Sequence, residues 1–276
     1  MIFQGTTAVI TGAASGIGRG IALEAASRDM NLVLADVDGA ALSRLKADLD
    51  LSDSQVIFQE VDVTNLADLE LLASKTSSKF GCCDFLFNNA GIMITGNFTE
   101  VTPANYSKVV GVNLLGAMHC LHAFLPQMLE SRNYAHVVNT SSLGGLLSWK
   151  QMSSYAATKA AVVALTEAIH YEHEFDDGIG FSVLCPGTVQ SNIVSSSLDN
   201  SGVGEEGSLL ARQIQSNLNE FGMEPQSLAK IVFGAISERR YWIFPHPEFK
   251  PELNRRISAL MQEITPDSSL SLFGVK

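Results

Sequence analysis

Seven short runs rich in β-branched and aromatic residues punctuate this chain, and the early ones are apolar at nearly every position. They are Thr7–Ile10, Asn31–Ala35, Val56–Val61, Phe85–Asn88, His136–Thr140, Phe181–Cys185 and Tyr241–Phe244. A strand with one face in water alternates apolar and polar residues, whereas an unbroken apolar run needs cover on both faces. Amphipathic segments near 17–28, 39–50, 66–79, 103–131, 153–174 and 225–237 lie between the runs and can supply that cover. Strand–helix alternation with right-handed crossovers builds a parallel sheet between two helix layers, an α/β, doubly wound fold.

The 276 residues suit a single domain of this kind. Hydrophobic residues make up 46% and charged residues 17%, which excludes a disordered chain. The net charge of -11 argues against nucleic acid as a partner. Cys82, Cys83, Cys120 and Cys185 form no C-x-x-C pair and are expected as reduced thiols of a cytoplasmic protein. The first run begins almost at once, with no basic-then-apolar leader before it. No stretch of about 18 consecutive apolar residues occurs, so no membrane span is expected. One segment breaks the rhythm: residues 190–222 are rich in Ser, Asn and Gly, as in the run from Ser195 to Gly202. It is expected to be a lid over the site, with a short helix near 208–219. A further helix is expected over 250–263.

The first run leads directly into Thr11-Gly12-Ala13-Ala14-Ser15-Gly16-Ile17-Gly18, and a helical pattern follows. Glycines there allow a tight turn and close approach of a pyrophosphate, and the helix start offers free N–H groups to that anion. This assigns Gly12, Ser15, Gly16, Ile17 and Gly18 to a dinucleotide. The second run ends at Asp36, 18 residues beyond Gly18. A carboxylate there can accept hydrogen bonds from the adenosine ribose and repels a 2′-phosphate, so the expected cofactor is NAD. Arg19 is the nearest cation that could argue for NADP, and its place just inside the helix fits a solvated face. Asp62 and Val63, ending the third run, are expected beside the adenine.

Tyr155 and Lys159 stand four residues apart, on one face of a helical segment. A free phenol titrates near about 10 and is a poor base at neutral pH. A neighbouring ammonium favours the phenolate and is expected to lower that value. Such a Tyr can take a proton from an alcohol, or return it to a ketone. Lys159 can also hold the nicotinamide ribose. The fifth run ends in Thr140-Ser141-Ser142, thirteen residues before Tyr155 at Ser142. A hydroxyl at the carboxyl end of a strand can stabilise charge on a substrate oxygen. Asn113 interrupts the 103–131 segment, where propensity disfavours it, so a specific role is expected.

Taken together, the chain resembles the short-chain dehydrogenase/reductases from end to end. The glycine turn at 11–18, Asn88-Asn89-Ala90-Gly91, Asn113, Ser142, Tyr155-x-x-x-Lys159 and Pro186-Gly187 carry the resemblance. It implies a Rossmann-like, seven-stranded parallel sheet and a nicotinamide cofactor. It selects Ser142 over Ser141 and completes a catalytic set of Asn113, Ser142, Tyr155 and Lys159, with Asn113 holding a water that connects to Lys159. It places Asn89, Ala90 and Gly91 beside the cofactor. It wraps the nicotinamide in Pro186, Gly187, Val189 and Ser191, the last standing where the family usually has Thr. It also implies a homodimer or homotetramer built on the 103–131 and 153–174 helices.

Met93, Ile94, Leu143, Trp149, Met152 and the lid are expected to wall the substrate pocket. With no Arg or Lys among them, the expected small-molecule substrate is a hydrophobic secondary alcohol or its ketone. His119, His122, His170 and His173 tempt a metal reading, but no ligand pattern of known spacing joins them, and no metal is expected. Three other readings compete: a non-catalytic nucleotide-sensing regulator, which typically lacks the Tyr or the Lys; a dehydratase or epimerase, which usually needs a longer chain; and an NADP-dependent carbonyl reductase.

Overall fold

The computed structural model describes residues 2–266 except 50, 132, 133, 177 and 199–201. The strands form where the apolar runs lie: Thr7–Thr11 (β1), Asn31–Asp36 (β2), Val56–Glu60 (β3), Phe85–Asn88 (β4), Ala135–Thr140 (β5), Ile179–Leu184 (β6) and Trp242–Ile243 (β7). The helices are Gly16–Ala26 (α1), Gly39–Asp48 (α2), Leu66–Phe80 (α3), Pro103–Val110 (α4), Gly116–Glu130 (α5), Ser153–Glu172 (α6), Ser195–Leu198 (α7), Gly204–Phe221 (α8), Pro225–Ser237 (α9) and Lys250–Met261 (α10).

Every pairing is parallel, and the sheet order is β3-β2-β1-β4-β5-β6-β7. Successive residues of each strand feed opposite faces. Ile10, Leu34 and Phe87 pack with Ile21, Leu42 and Phe233 from α1, α2 and α9. Val9, Val33 and Leu86 pack with Leu69, Leu72 and Phe124 from α3 and α5. Both faces are therefore covered, which is why β1 and β4 are buried throughout. The order reverses between β1 and β4, and that switch point opens a crevice at the carboxyl ends of the strands.

Three elements differ from the sequence expectation. β7 has two residues rather than the four from Tyr241 to Phe244. It is an edge strand pairing with β6 through Trp242 and Ile243, and Pro245 and Pro247 follow directly. The helix expected over 103–131 is a continuous rod with a π-helical turn, Gly111–Leu115, between α4 and α5. Within Pro103–Glu130 that rod holds an 18-residue window with a mean hydropathy of 1.5, long and apolar enough to cross a bilayer by composition alone. Its residues Cys120, Leu121, Phe124 and Met128 are instead buried against the sheet. In the segment read as a lid, the helix begins four residues earlier than expected, with Glu205 and Glu206 in its first turn, where acidic side chains suit the helix dipole. Part of that segment, 199–201, lies outside the described residues.

All four cysteines are free thiols. Three of the four histidines weighed as metal ligands have local partners. His119 lies 3.0 Å from the Val63 carbonyl through Nδ1. His170 packs on Tyr241, and His173 stacks on Phe181.

Candidate active site

A cleft of about 1480 Å³ runs along the carboxyl ends of the strands. Nearly every residue assigned from the sequence to cofactor or substrate lines it; Gly18 and Asn113 stand just behind its wall.

The glycine turn shapes one end. Gly12 has φ +64°, which favours glycine, and a Cβ there would stand 3.0 Å from the Ala90 Cα. Gly18 lets α1 sit down on the end of β1, since a Cβ there would come 2.0 Å from the Gly12 carbonyl oxygen. Ser15 caps α1 in extended conformation, and its side chain makes no capping bond. The helix therefore presents unpaired N–H groups and its positive end to the cleft. That donor set fits a pyrophosphate, and the glycine cradle leaves no side chain in its way. Beside it, Asp36 Oδ2 accepts from the Ala14 N–H at 2.9 Å and Oδ1 from the Asp38 N–H at 3.0 Å. These bonds hold the carboxylate at the cleft edge with lone pairs to spare. Asp62 accepts from the N–H and hydroxyl of Thr64, at 2.9 and 2.8 Å, so it braces its own turn as well as lining the cleft. Val63 abuts Gly116 and is buried.

The segment after β4 braces the middle. The Asn89 amide donates to the Thr11 carbonyl at 3.1 Å, and its backbone N–H donates to the Thr11 hydroxyl at 3.0 Å. Asn113 sits in the π-helical turn and grips Ile92 twice: Oδ1 accepts from the Ile92 N–H at 2.8 Å and Nδ2 donates to its carbonyl at 2.9 Å. Nδ2 also reaches the Thr158 hydroxyl at 3.1 Å. A Cβ on Gly91 would stand 3.2 Å from Lys159 Nζ and 3.4 Å from Asn113 Oδ1, so both groups face the space beside Gly91.

Ser142, just past the end of β5, and Tyr155, in the first turns of α6, line the cleft together, and both adjoin Gly144, where a Cβ would stand 3.4 Å from Ser142 Oγ and 3.1 Å from Tyr155 Cε1. Lys159, 2% exposed, donates to the Thr140 carbonyl at 2.9 Å, with Nζ 5.8 Å from the Tyr155 ring centre. The structure corrects one expectation here. Burial pushes the Tyr155 phenol up to about 12, against a smaller downward pull from the nearby Ser142 hydroxyl. Burial also brings Lys159 down to about 8. Desolvation outweighs any help from the ammonium, because both groups are shut away from water and Nζ is turned onto a carbonyl.

The far end of the cleft is apolar. Met93, Met152 and Tyr155 cluster with Val194, Ile214 and Leu218, with Trp149 and Ile193 against them. Leu143 adds to this wall. Ile94 does not: it turns the other way, into a separate cluster with Val101, Val109 and Val203. The sequence reading assigned no site role to His246, which is buried and accepts the Gly187 N–H on Nδ1 at 3.0 Å. Nor did it point to Thr158, Gln215 or Phe249. The first lies beside Tyr155, and the other two line the cleft. Each becomes visible only when distant segments meet.

A glycine-lined anion cradle, a carboxylate at the cleft edge and a hydroxyl–phenol–ammonium cluster on one cleft fit a dinucleotide-binding oxidoreductase of the Rossmann type. Residues 6–202 match the short chain dehydrogenase family model. A short chain dehydrogenase/reductase from Burkholderia phymatum, solved in complex with NAD, superposes with a TM-score of 0.92 at 36% identity, covering 98% of this chain and 99% of that one. A CLA biosynthesis dehydrogenase/reductase of Lactiplantibacillus plantarum is 30% identical over 96% of both chains. A C alpha-dehydrogenase of a Sphingobium species is 29% identical over 97% of this chain and 89% of its own. The chain belongs to the short-chain dehydrogenase/reductase family.

Proposed function

We propose that this protein is an NAD(H)-dependent alcohol dehydrogenase/ketone reductase acting on bulky, apolar secondary alcohols or their ketones. The observation that carries this reading is the meeting of Ser142, Tyr155 and Lys159 at the apolar end of the cleft whose other end holds the glycine turn and Asp36. When bound, the nicotinamide ring gives or accepts a hydride. Ser142 and Tyr155 grip the substrate oxygen, and Tyr155 Oη takes or returns its proton. Lys159 holds the nicotinamide ribose, and Asn113 holds a water against it in the space beside Gly91. Ser191 bonds the carboxamide. The apolar wall selects substrates without a charge near the reacting carbon. A panel of alcohols with NAD+ and NADP+, followed by absorbance of the reduced cofactor, tests the reading. Turnover confined to charged sugars or acyl carriers refutes the substrate class.

Asp36 favours NAD over NADP by the repulsion a 2′-phosphate meets there. Of the two arginines that line this end of the cleft, Arg19 is paired with Asp48 at 2.9 Å and Arg44 lies 4.0 Å from Asp38. Expected preference for NAD is about a hundredfold in kcat/KM, since like charges set side by side cost several kcal/mol. Asp36→Asn is expected to shrink that ratio at least about tenfold, mostly through a lower KM for NADP. An unchanged ratio contradicts the role.

The raised phenol sets the pH dependence. Tyr155 keeps its proton up to about 12. It is thus ready as an acid for ketone reduction at neutral pH, while alcohol oxidation needs the scarce deprotonated form. Oxidation is expected to quicken from neutral to alkaline pH, by at most about tenfold per unit, while reduction does not. Initial rates in both directions across pH check this.

The chain is expected to assemble as a homodimer or homotetramer through the faces of α4–α5 and α6, where Val110, Leu115, Met118 and Tyr171 are exposed. Light scattering that returns a monomer mass overturns this.

A further inference from the structure

We infer that Gln215 is a positioning residue that locks the substrate wall to the nicotinamide loop, so that cofactor binding also orders α8. The inference rests on the cofactor reading above and adds a residue to it. Gln215 Nε2 donates to the Ser191 carbonyl at 2.9 Å and to Asn219 Oδ1 at 2.9 Å. From the other side, Ser191 is pressed against the glycine turn: a Cβ on Gly16 would lie 2.7 Å from Ser191 Cβ. Ser191 is therefore held between the pyrophosphate cradle and α8.

The same turns of α8 carry the substrate wall. Ile214 adjoins Gln215 in sequence, Leu218 adjoins Asn219, and both apolar residues are buried in the cluster with Tyr155. A second link lies past the helix. Met223 donates to the Thr188 carbonyl at 2.9 Å and accepts from the Gln190 N–H at 3.1 Å. That ladder fixes the residue after α8; Gln215 fixes the body of the helix itself. Among the contacts described, it joins the helix face that walls the substrate to the loop that holds the nicotinamide. A cofactor that stiffens 188–191 must then stiffen α8, and a substrate pressed on Ile214 and Leu218 must feel whether the cofactor is there. Such reciprocity is a coupling between two binding steps.

Hydrogen–deuterium exchange on the full chain, with and without NADH, tests this without a known substrate. In the wild type, NADH is expected to slow exchange at the glycine turn, at 186–191 and along 209–221. Gln215→Met keeps the length and helix propensity of the side chain but loses the donor. It is expected to keep protection at the turn and loop, lose most of it along 209–221, and bind NADH about threefold to tenfold more weakly, as the loss of one hydrogen bond implies. Gln215→Lys, which restores a donor of similar reach, is expected to recover part of the α8 protection. A merely structural role predicts uniform loosening with or without NADH. Protection along 209–221 that survives in Gln215→Met, or is missing from a wild type that binds NADH, overturns the inference alone. Failure of the wild type to bind NADH overturns the cofactor reading and this inference with it. Should the Met variant not fold, the wild-type pattern decides.

Discussion

Tyr155→Phe is expected to lower turnover of the preferred alcohol by about 10²–10⁴-fold, the range a positioned general acid or base contributes. The substitution removes one oxygen atom and leaves the ring. Tyr155 is 3% exposed and packs among Met93, Met152 and Leu218, so the phenyl ring keeps its neighbours and the fold stays intact. NADH affinity, read by fluorescence, is expected to stay within about twofold, because Lys159 keeps its bond to Thr140. Ser142 still accepts from the Gly144 N–H at 3.0 Å, so it stays in place. The combination expected is near-normal binding with lost chemistry, in both directions of the reaction. Lys159→Met gives a different signature. It removes a buried cation facing the space beside Gly91, so both cofactor affinity and turnover fall together. A Tyr155→Phe enzyme with wild-type turnover sinks the proposed mechanism whatever the substrate.

Much of this arrangement was legible in the sequence, for physical reasons that also explain what was not. The strands were legible because a covered parallel sheet leaves no polar face, and Val9 and Ile10 go to opposite cores. β7 was overread because an edge strand beside two prolines has no comparable signature. Asn113 signalled itself by being a polar residue in the middle of an apolar helix. Its use there, spanning both backbone groups of Ile92 from a π-helical turn, needed coordinates. The glycine turn and Asp36 were readable because each needs a residue type at a fixed spacing. Gln215, His246 and Thr158 act through contacts with Ser191, Gly187 and Asn113, which lie 24, 59 and 45 residues away. No local pattern encodes such meetings.

The phenol was the instructive miss. Spacing alone puts Lys159 on the face of Tyr155, and the inference to a lowered value followed from charge alone. Burial was the missing quantity. The same closure that dries the site raises Tyr155 to about 12 and lowers Lys159 to about 8. Ile94 failed for a related reason: adjacency to Met93 in sequence says nothing of which side a residue faces once the strand has ended.

The second large effect is expected at Gly18. Its backbone is ordinary helix, so an alanine there is unstrained by itself. The obstacle is space: the new methyl would stand 2.0 Å from the Gly12 carbonyl oxygen and 2.8 Å from Asn89 Nδ2. Neither is the end of a flexible chain; one is backbone, and the other is an amide already bonded to Thr11. Relief requires α1 to lift from the end of β1, carrying its unpaired N–H groups away from the place proposed for the pyrophosphate. Overpacking of this kind costs about 1–3 kcal/mol, which corresponds to a loss of about 5-fold to 150-fold if it falls on cofactor binding. Gly18→Ala is therefore expected to weaken NADH by about that factor and to lower Tm. Gly234 provides the control within the same chain. It lies inside α9, and a Cβ there meets nothing within 4 Å. Gly234→Ala is expected to raise stability by about 0.5–1 kcal/mol, through helix propensity and a less flexible unfolded chain, and to leave NADH binding unchanged. Fluorescence titration and thermal melts of the two variants together separate the cost of lost space from that of an added methyl. Equal behaviour of the two would mean that α1 does not rest on Gly12 as the structure has it.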